Sequence, residues 1–122
     1  MNGSGCSKCG NSKGENEIMN ILIDKCVIFE SQKTFEYCKN KHKLPFDFYL
    51  PEYNICIEFD GKQHFEPINF FGGKDAFNKT KINDNIKNKY CSDNNIKLIR
   101  IPYYNYENIE HILNDELLNI FT

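Results

Sequence analysis

The chain has 122 residues, of which 40% are hydrophobic, 26% charged and 14% aromatic, and its formal net charge is −2. This length fits one domain, and the many Phe, Tyr and Ile residues exclude an intrinsically disordered chain. No apolar run approaches the roughly 20 residues that span a bilayer, and the polar start of the chain does not resemble a signal peptide. We therefore expect an intracellular protein that does not bind membranes. The pI of 5.9 argues at first against nucleic acid.

The spacing of apolar residues predicts the element order αβββαβα, which is typical of an α/β (α+β) fold with a mixed sheet and helices on its faces. Ser12, three residues before Glu15, matches a capping box and supports a helix start nearby. In chain order we predict a helix over 15–25, a strand over 27–35, a basic connector over 36–44, a hairpin with strands over 46–50 and 54–60, a loop over 66–78, a helix over 79–94, a strand over 97–101 and a helix over 106–120.

Six cysteines are spread along the chain, and without a signal peptide they are expected to be free thiols rather than three disulfides. Cys26, Cys56 and Cys91 lie beside apolar residues, where packing is their expected role. In Cys6-Ser7-Lys8-Cys9-Gly10, the tight turn can direct two thiolates at one Zn²⁺. This is half of a zinc site, and the other ligands would be Cys38 and His42 or residues outside this sequence. We expect residues 1–13 to be a partial zinc knuckle or a linker.

Acidic residues interrupt the two strands of the predicted hairpin. Because side chains alternate along a strand, Glu58 and Asp60 share one face of the second strand, opposite its apolar residues. Asp47 lies on the first strand between two Phe residues. An unpaired buried charge costs several kcal/mol, and neither strand contains Lys or Arg, so we expect a metal ion such as Mg²⁺ or Mn²⁺ as the partner. The alternative is that Glu58 and Asp60 face solvent and are simply hydrated.

Further polar residues follow this hairpin. His64 can move a proton near neutral pH, although a lone His after a strand usually has a structural role. Asp84 and Lys87 lie one turn apart on the next predicted helix, where a surface ion pair is the simpler interpretation. The loop over 66–78 carries Phe70-Phe71-Gly72-Gly73. These aromatic residues would form either a wedge between DNA base steps or an aromatic plug packed over the sheet.

The ordered set of these motifs resembles the PD-(D/E)XK nuclease superfamily. Within it, the set is similar to the very-short-patch mismatch-repair endonucleases and the EDxHD homing endonucleases, over about residues 14–103. The resemblance implies a restriction-endonuclease-like core, with a mixed four-stranded sheet flanked by helices, in a nuclease domain over 14–122. The motifs that carry it are Glu15-x-x-Ile18, Phe46-Asp47-Phe48, Ile57-Glu58-Phe59-Asp60-Gly61-x-Gln63-His64, Asp84-x-x-Lys87 and Leu98-Ile99-Arg100-Ile101.

The resemblance also implies a role for each matching acidic residue. Glu15 would reach the metal through water, in preference to Glu17 on the flank of the same helix. Asp47 would be the central metal ligand, and Glu58 would take the acidic position of the (D/E)XK signature. Asp60 is expected as a further metal ligand because it converges with these two acids on the hairpin strands. Asp60 stands where the superfamily usually has Lys, so Asp60-Gly61-Lys62 is a second possible register. We prefer the Glu58 register, because it keeps both acids on one strand.

The remaining roles concern protons and phosphates. The resemblance makes His64 the general acid or base, and Asp84 completes an EDxHD-like set with it. Lys62 and Lys87 would hold substrate phosphates.

The function implied is Mg²⁺- or Mn²⁺-dependent hydrolysis of phosphodiester bonds in DNA, most naturally double-stranded, by a homing- or repair-like endonuclease. The alternative is a non-catalytic nucleic-acid-binding module with a zinc-ribbon remnant at Cys6 and Cys9. Five of the negative charges belong to candidate site residues, so the rest of the chain is net basic. The acidic total therefore does not exclude nucleic acid as a partner.

Overall fold

The structure is a computed structural model that describes residues 12–66 and 73–121. Its elements are α1 (Lys13–Asp24), β1 (Glu30–Lys33), β2 (Phe46–Leu50), β3 (Ile55–Asp60), a 3-10 turn (Lys62–His64), α2 (Gly73–Asp93), β4 (Lys97–Pro102), a second 3-10 segment (Tyr103–Asn108), α3 (Ile109–Glu116) and α4 (Leu118–Phe121). The Cys6–Cys9 motif and Phe70-Phe71 lie outside the described residues, so the predictions made for them stay predictions.

The four strands form one mixed sheet in the order β1-β2-β3-β4. β1 and β2 are antiparallel, as are β2 and β3, whereas β3 and β4 are parallel. A parallel pair needs a crossover connection, and α2 lies in the connection between β3 and β4. The predicted α+β class, mixed sheet and element order are therefore confirmed. Within the described residues, no helix is both long and apolar enough to cross a membrane.

The sheet separates two hydrophobic clusters. The first joins α1 and α3 to one face, on which Ile55 and Ile57 of β3 are buried. The second lies between the other face and α2, and it contains Cys38, Cys56 and Cys91. These three thiols are free and buried, which confirms the packing role of Cys56 and Cys91. The same prediction for Cys26 is wrong, because this residue is exposed in the turn after α1.

Two local features fix the start of α1. The Ser12 hydroxyl accepts a hydrogen bond from the Glu15 backbone N–H at 3.1 Å, so Ser12 is the N-cap that the sequence predicts. Gly14 is buried in the first turn, and a Cβ atom at this position would overlap with the Phe59 ring of β3. The absence of a side chain at Gly14 therefore lets α1 lie directly against β3, which brings Glu15 next to the hairpin.

Several predicted segments differ from the observed elements. The predicted strand over 27–35 reduces to β1, because Val27, Phe29 and Phe35 pack against the two clusters instead of pairing with a strand. The predicted loop over 66–78 is wrong in its second half, which belongs to α2.

The predicted helix over 106–120 is also interrupted. Its first residues belong to the 3-10 segment, and the backbone leaves helical geometry at Leu117, with φ −115° and ψ 30°. Leu117 is 1% exposed in the first cluster, so its burial accompanies the break between α3 and α4. The predicted hairpin agrees closely with β2 and β3, and Asn54 adopts a left-handed φ of 58° in the turn between them.

The contact between Gly14 and Phe59 predicts an unusual substitution effect. Replacing Gly by Ala within a helix normally stabilises a protein by about 0.5–1 kcal/mol, but Gly14→Ala should lower the free energy of unfolding by about 1–3 kcal/mol because the methyl group overpacks this contact. Urea denaturation measures the effect, with Asn16→Ala at an exposed position of the same helix as control. A Gly14→Ala protein as stable as the wild type would contradict the close packing of α1 on β3.

Candidate active site

A pocket of about 320 Å³ opens where α1, the hairpin, the 3-10 turn after β3 and α2 meet. We call it the acidic pocket. It brings together six of the residues that the sequence singles out: Glu15, Asp47, Glu58, His64, Asp84 and Lys87. The other residues that line it are Gln32, Leu44, Pro45, Phe59, Thr80 and Asn83.

Asp47 and Glu58 are held by reciprocal hydrogen bonds across β2 and β3. The Asp47 backbone N–H donates to Glu58 Oε2 at 2.8 Å, and the Phe59 backbone N–H donates to Asp47 Oδ2 at 2.8 Å. Each carboxylate therefore binds a backbone N–H of the opposite strand, and both side chains are fixed by the hairpin itself. Asp47 Oδ1 and Glu58 Oε1 are not used by these bonds.

The carboxyl groups of Glu15, Asp47 and Glu58 perturb one another. Burial, followed by the charges of Glu58 and Glu15, raises the pKa of Asp47 to about 8. Burial and the charge of Glu58 also raise the pKa of Glu15, although hydrogen bonds to the Ser12 backbone and to Asp47 act in the opposite direction. The pocket therefore holds more acid than its surroundings can stabilise in the ionised form, which favours a proton or a cation there.

Cations from α2 and β4 reach the acids of β3. Lys87 Nζ lies 3.1 Å from Glu58 Oε1 and 5.2 Å from the centre of the Phe46 ring. Arg100 Nη1 lies 2.9 and 3.1 Å from the two carboxylate oxygens of Asp60. The interpretation that three strand carboxylates lack a protein cation is therefore wrong, because the partners come from elements distant in sequence. Within the described part of the chain, no Lys or Arg forms an ion pair with Glu15 or Asp47.

His64 is oriented by Asp84. The 3-10 turn after β3 places His64 Nδ1 2.9 Å from Asp84 Oδ2 on α2. Burial alone would raise the pKa of Asp84, but the hydrogen bond with His64 and the charges of His64, Arg100 and Lys87 together lower it. Because Asp84 is then an ionised acceptor, the proton of a neutral His64 lies on Nδ1, which leaves Nε2 as the ring atom that can accept a proton.

Asp60 and Lys62 have surroundings different from those of Glu58. Asp60 is 6% exposed and bound to Arg100, and it does not line the acidic pocket. Its Oδ1 also lies 3.7 Å from His64 Nδ1. Lys62 is exposed on the 3-10 turn and lines no part of the pocket. The Glu58 register therefore places its acid beside Asp47, whereas the Asp60 register has its acid beside Arg100.

The carboxylates of the acidic pocket suit an ion that keeps several water ligands rather than an ion enclosed by protein ligands. In residues 12–66 and 73–121, no group of three or more His, Cys, Asp or Glu side chains is arranged to hold a metal ion. Mg²⁺ requires less, because it commonly binds one or two carboxylates and keeps waters and phosphate oxygens as its other ligands. The Asp47–Glu58 pair fits that mode through Asp47 Oδ1, which binds no backbone N–H in these bonds, and through Glu58 Oε1, which an ion would share with Lys87.

Cys38 and His42 do not share an environment. Cys38 is 0% exposed in the second hydrophobic cluster, whereas His42 is exposed. Burial also raises the pKa of the Cys38 thiol, which opposes the thiolate form that a metal needs. Any role of this pair in completing a zinc site with Cys6 and Cys9 stays a prediction.

Several residues of the site are not apparent from sequence reasoning. Gln32, Thr80 and Asn83 line the acidic pocket without any motif that marks them. Arg100 has a detectable signal, since it is the one Arg in a chain rich in Lys, and Arg suits two-oxygen contacts with a carboxylate. Glu17, the competing residue on α1, does not line the pocket, whereas Glu15 does.

Fold and site together define an α+β protein with a carboxylate-lined pocket at one end of a hairpin. The chain is 38% identical over 61 residues to the uncharacterized protein 307L of Invertebrate iridescent virus 6, covering 49% of this chain and 31% of that protein. It is 27% identical over 103 residues to the uncharacterized protein 033L of Invertebrate iridescent virus 3, covering 81% and 53%. It is 36% identical over 62 residues to the uncharacterized protein 094L of Frog virus 3, covering 49% and 40%.

The chain thus spans about half or less of the length of each of these relatives. No family model matches the chain. No solved structure matches it either.

The raised pKa of Asp47 predicts a pH-dependent stability. Between about pH 4 and pH 8 the folded protein keeps a proton on Asp47 that the unfolded chain releases, so this group makes stability fall as pH rises through that window. The side chain of the Asp47→Asn variant cannot ionise. Its free energy of unfolding, relative to that of the wild type, should therefore rise by at least about 1 kcal/mol, or roughly 3–5 °C in Tm, between pH 5 and pH 8.5.

Thermal unfolding in EDTA measures this difference, with Asp24→Asn at an exposed position as the control. The control should show no such growth. A constant Tm difference between wild type and Asp47→Asn across the pH range would show that Asp47 does not keep a proton in the folded protein.

Proposed function

We propose that this chain is a metal-dependent DNA endonuclease that hydrolyses phosphodiester bonds in double-stranded DNA, with a restriction-endonuclease-like core. One observation carries the proposal: the Asp47–Glu58 pair and the His64–Asp84 pair line the same pocket. The first pair offers carboxylate oxygens for a divalent ion, and the second offers an oriented proton acceptor. Hydrolysis of a phosphodiester needs both functions within reach of one phosphate.

Asp47 and Glu58 would hold Mg²⁺ or Mn²⁺, and Glu15 would contact the ion through water. When bound, the ion supplies Lewis-acid stabilisation of charge on the phosphate and lowers the pKa of a coordinated water. The surplus of acid in the pocket supports this assignment, because a divalent cation would favour the ionised carboxylates against the burial and the neighbouring charges that raise the pKa of Asp47 and Glu15.

His64 serves as the general acid or base. With Nδ1–H donated to Asp84, Nε2 of the neutral ring can accept a proton from the attacking water. The ionised Asp84 carboxylate holds the ring in this orientation and stabilises the imidazolium that forms. The same Nε2 can return the proton to the leaving oxygen.

Lys87 supplies a positive charge inside the pocket. It neutralises part of the charge of Glu58 at 3.1 Å, and its ammonium group suits contact with a phosphate oxygen as a point charge. Lys87 also places a lysine beside Glu58, whereas the signature Glu58-Phe59-Asp60 has Asp60 at the position of the usual lysine. Asp60, bound to Arg100, would support this arrangement rather than bind the ion.

A non-catalytic nucleic-acid-binding module is the second candidate function. It is favoured by the finding that Lys87 and Arg100 already neutralise Glu58 and Asp60. The homing- or repair-like role, the intracellular location and zinc at Cys6 and Cys9 belong to the proposal as expectations.

Cleavage of supercoiled plasmid tests the nuclease. We expect nicked or linear DNA with Mg²⁺ or Mn²⁺ and none with EDTA. Asp47→Asn should cut about 10²–10³-fold more slowly, since several kcal/mol of charge stabilisation is lost. The exposed Asp24→Asn variant, which removes the same charge, should cut at the wild-type rate. Metal-independent cutting, no cutting by the wild type, or full activity in Asp47→Asn would each overturn the proposal.

The role of Asp84 can be tested apart from substrate binding. Asp84→Asn no longer fixes the Nδ1–H form of His64, so the cleavage rate at saturating DNA should fall by about 10²-fold or more, while DNA affinity measured in EDTA should not weaken. Asp75→Asn, at an exposed position in the first turn of α2, is the matched control. Equal rates for wild type and Asp84→Asn would show that the His64–Asp84 pair has no part in the chemistry.

A further inference from the structure

A lysine-rich turn over residues 39–43 lies beside the acidic pocket. Lys39 and Lys43 form an isolated antiparallel bridge, and the Asn40 backbone N–H donates to the His42 carbonyl at 3.1 Å. The Leu44 backbone N–H donates to the Cys38 carbonyl at 3.0 Å. These bonds close the turn on itself, so its side chains have a defined framework.

The turn is attached to α2. Asn40 Nδ2 donates to Asn83 Oδ1 at 3.1 Å, and between turn and helix there is a second cavity, of about 240 Å³. We call it the lysine pocket, and it is lined by Asn40, Lys41, His42, Leu44, Lys79 and Asn83. Leu44 and Asn83 also line the acidic pocket, so the two pockets are neighbours that share these residues as a wall.

The two pockets differ in charge. Among residues 12–66 and 73–121, no Asp or Glu lines the lysine pocket. Within the described residues, Lys39, Lys41 and Lys79 form no ion pair, whereas the neighbouring Lys43 lies 3.1 Å from Glu36. By contrast, the exposed Lys89 is paired with Asp93 and the exposed Lys97 with Glu116. Uncompensated ammonium groups at a fixed position attract an anion.

We propose that the lysine pocket binds backbone phosphates of the DNA strand adjacent to the scissile phosphate. The assignment of the adjacent strand rests on the proposed function, because a scissile phosphate in the acidic pocket defines what lies next to it. A strand that crosses the shared wall of Leu44 and Asn83 brings a neighbouring phosphate to Lys41 and Lys79. The phosphates of a polynucleotide are linked at short, regular spacing. One strand can therefore occupy two adjoining pockets, whereas an isolated anion occupies only one of them.

The lysine pocket also supplies positive charge beside the acidic pocket. Glu15, Asp47 and Glu58 offer a phosphate no positive charge, and Lys87 is already paired with Glu58, so the substrate needs attraction from outside that pocket before an ion binds. Lys41 and Lys79 supply it on the neighbouring surface. Lysine contacts to phosphate position the strand without reading its sequence, so the lysine pocket would act on any duplex.

Binding of a short fluorescein-labelled DNA duplex, measured by fluorescence anisotropy in EDTA at about 50 to 200 mM salt, tests the proposal without requiring cleavage. Lys41→Gln/Lys79→Gln should weaken binding at least about tenfold at 0.1 M salt and reduce the slope of log K against log salt by about 2, since each lost phosphate contact contributes about 0.9. The control Lys89→Gln/Lys97→Gln removes the same charge from paired, exposed sites and should leave the slope unchanged.

Equal losses in the two double variants, or no duplex binding by the wild type, would overturn the proposal. Plasmid cleavage with Mg²⁺ distinguishes this failure from failure of the nuclease. A protein that cuts DNA but loses affinity equally in both variants has the proposed function without the lysine pocket. A protein that binds through Lys41 and Lys79 but never cuts has the binding surface without the nuclease.

Discussion

The reciprocal hydrogen bonds of Asp47 and Glu58 are the interaction on which the site depends. Each carboxylate satisfies a backbone N–H of the opposite strand, so the two acids are part of the hairpin and cannot turn away from each other. Burying these acids together has a cost, because burial and then the charges of neighbouring acids raise the pKa of Asp47 and Glu15. α2 contributes the cation Lys87 beside these acids. α1 contributes a third acid, Glu15, because Gly14 allows this helix to lie against Phe59.

A second set of contacts connects the proton-transfer residues to the sheet. Arg100 of β4 binds Asp60 through both carboxylate oxygens, and its Nη2 donates to the Asp84 carbonyl at 3.4 Å. Its Nε also donates to Asn88 Oδ1 at 3.0 Å. One guanidinium group thus joins β3, β4 and α2 at the base of the His64–Asp84 pair. Asp60, expected as a metal ligand, is better understood as part of this support.

Sequence reasoning succeeds where the determining interactions are local. The alternation in β2 and β3, the turn at Asn54 and the cap at Ser12 each depend on residues a few positions apart, and all three are predicted correctly. It fails where an apolar residue packs in the core without forming a strand, as Val27 and Phe29 do before β1. It fails again at Lys87 and Arg100, because their partners Glu58 and Asp60 are far away in the chain and no pattern in the sequence pairs them.

The parallel pairing of β3 with β4 has a consequence for the order in which the site can assemble. Asp47 and Glu58 meet through a short turn, whereas Lys87 and Arg100 reach them only after the chain has passed through α2 and returned to the sheet. Closing that longer loop loses more chain entropy and is intrinsically slower. The acids are therefore joined by a local hairpin, whereas their protein cations depend on the non-local pairing of β3 with β4. A hairpin without that pairing would have only protons or metal ions from the surrounding solution as counter-charges.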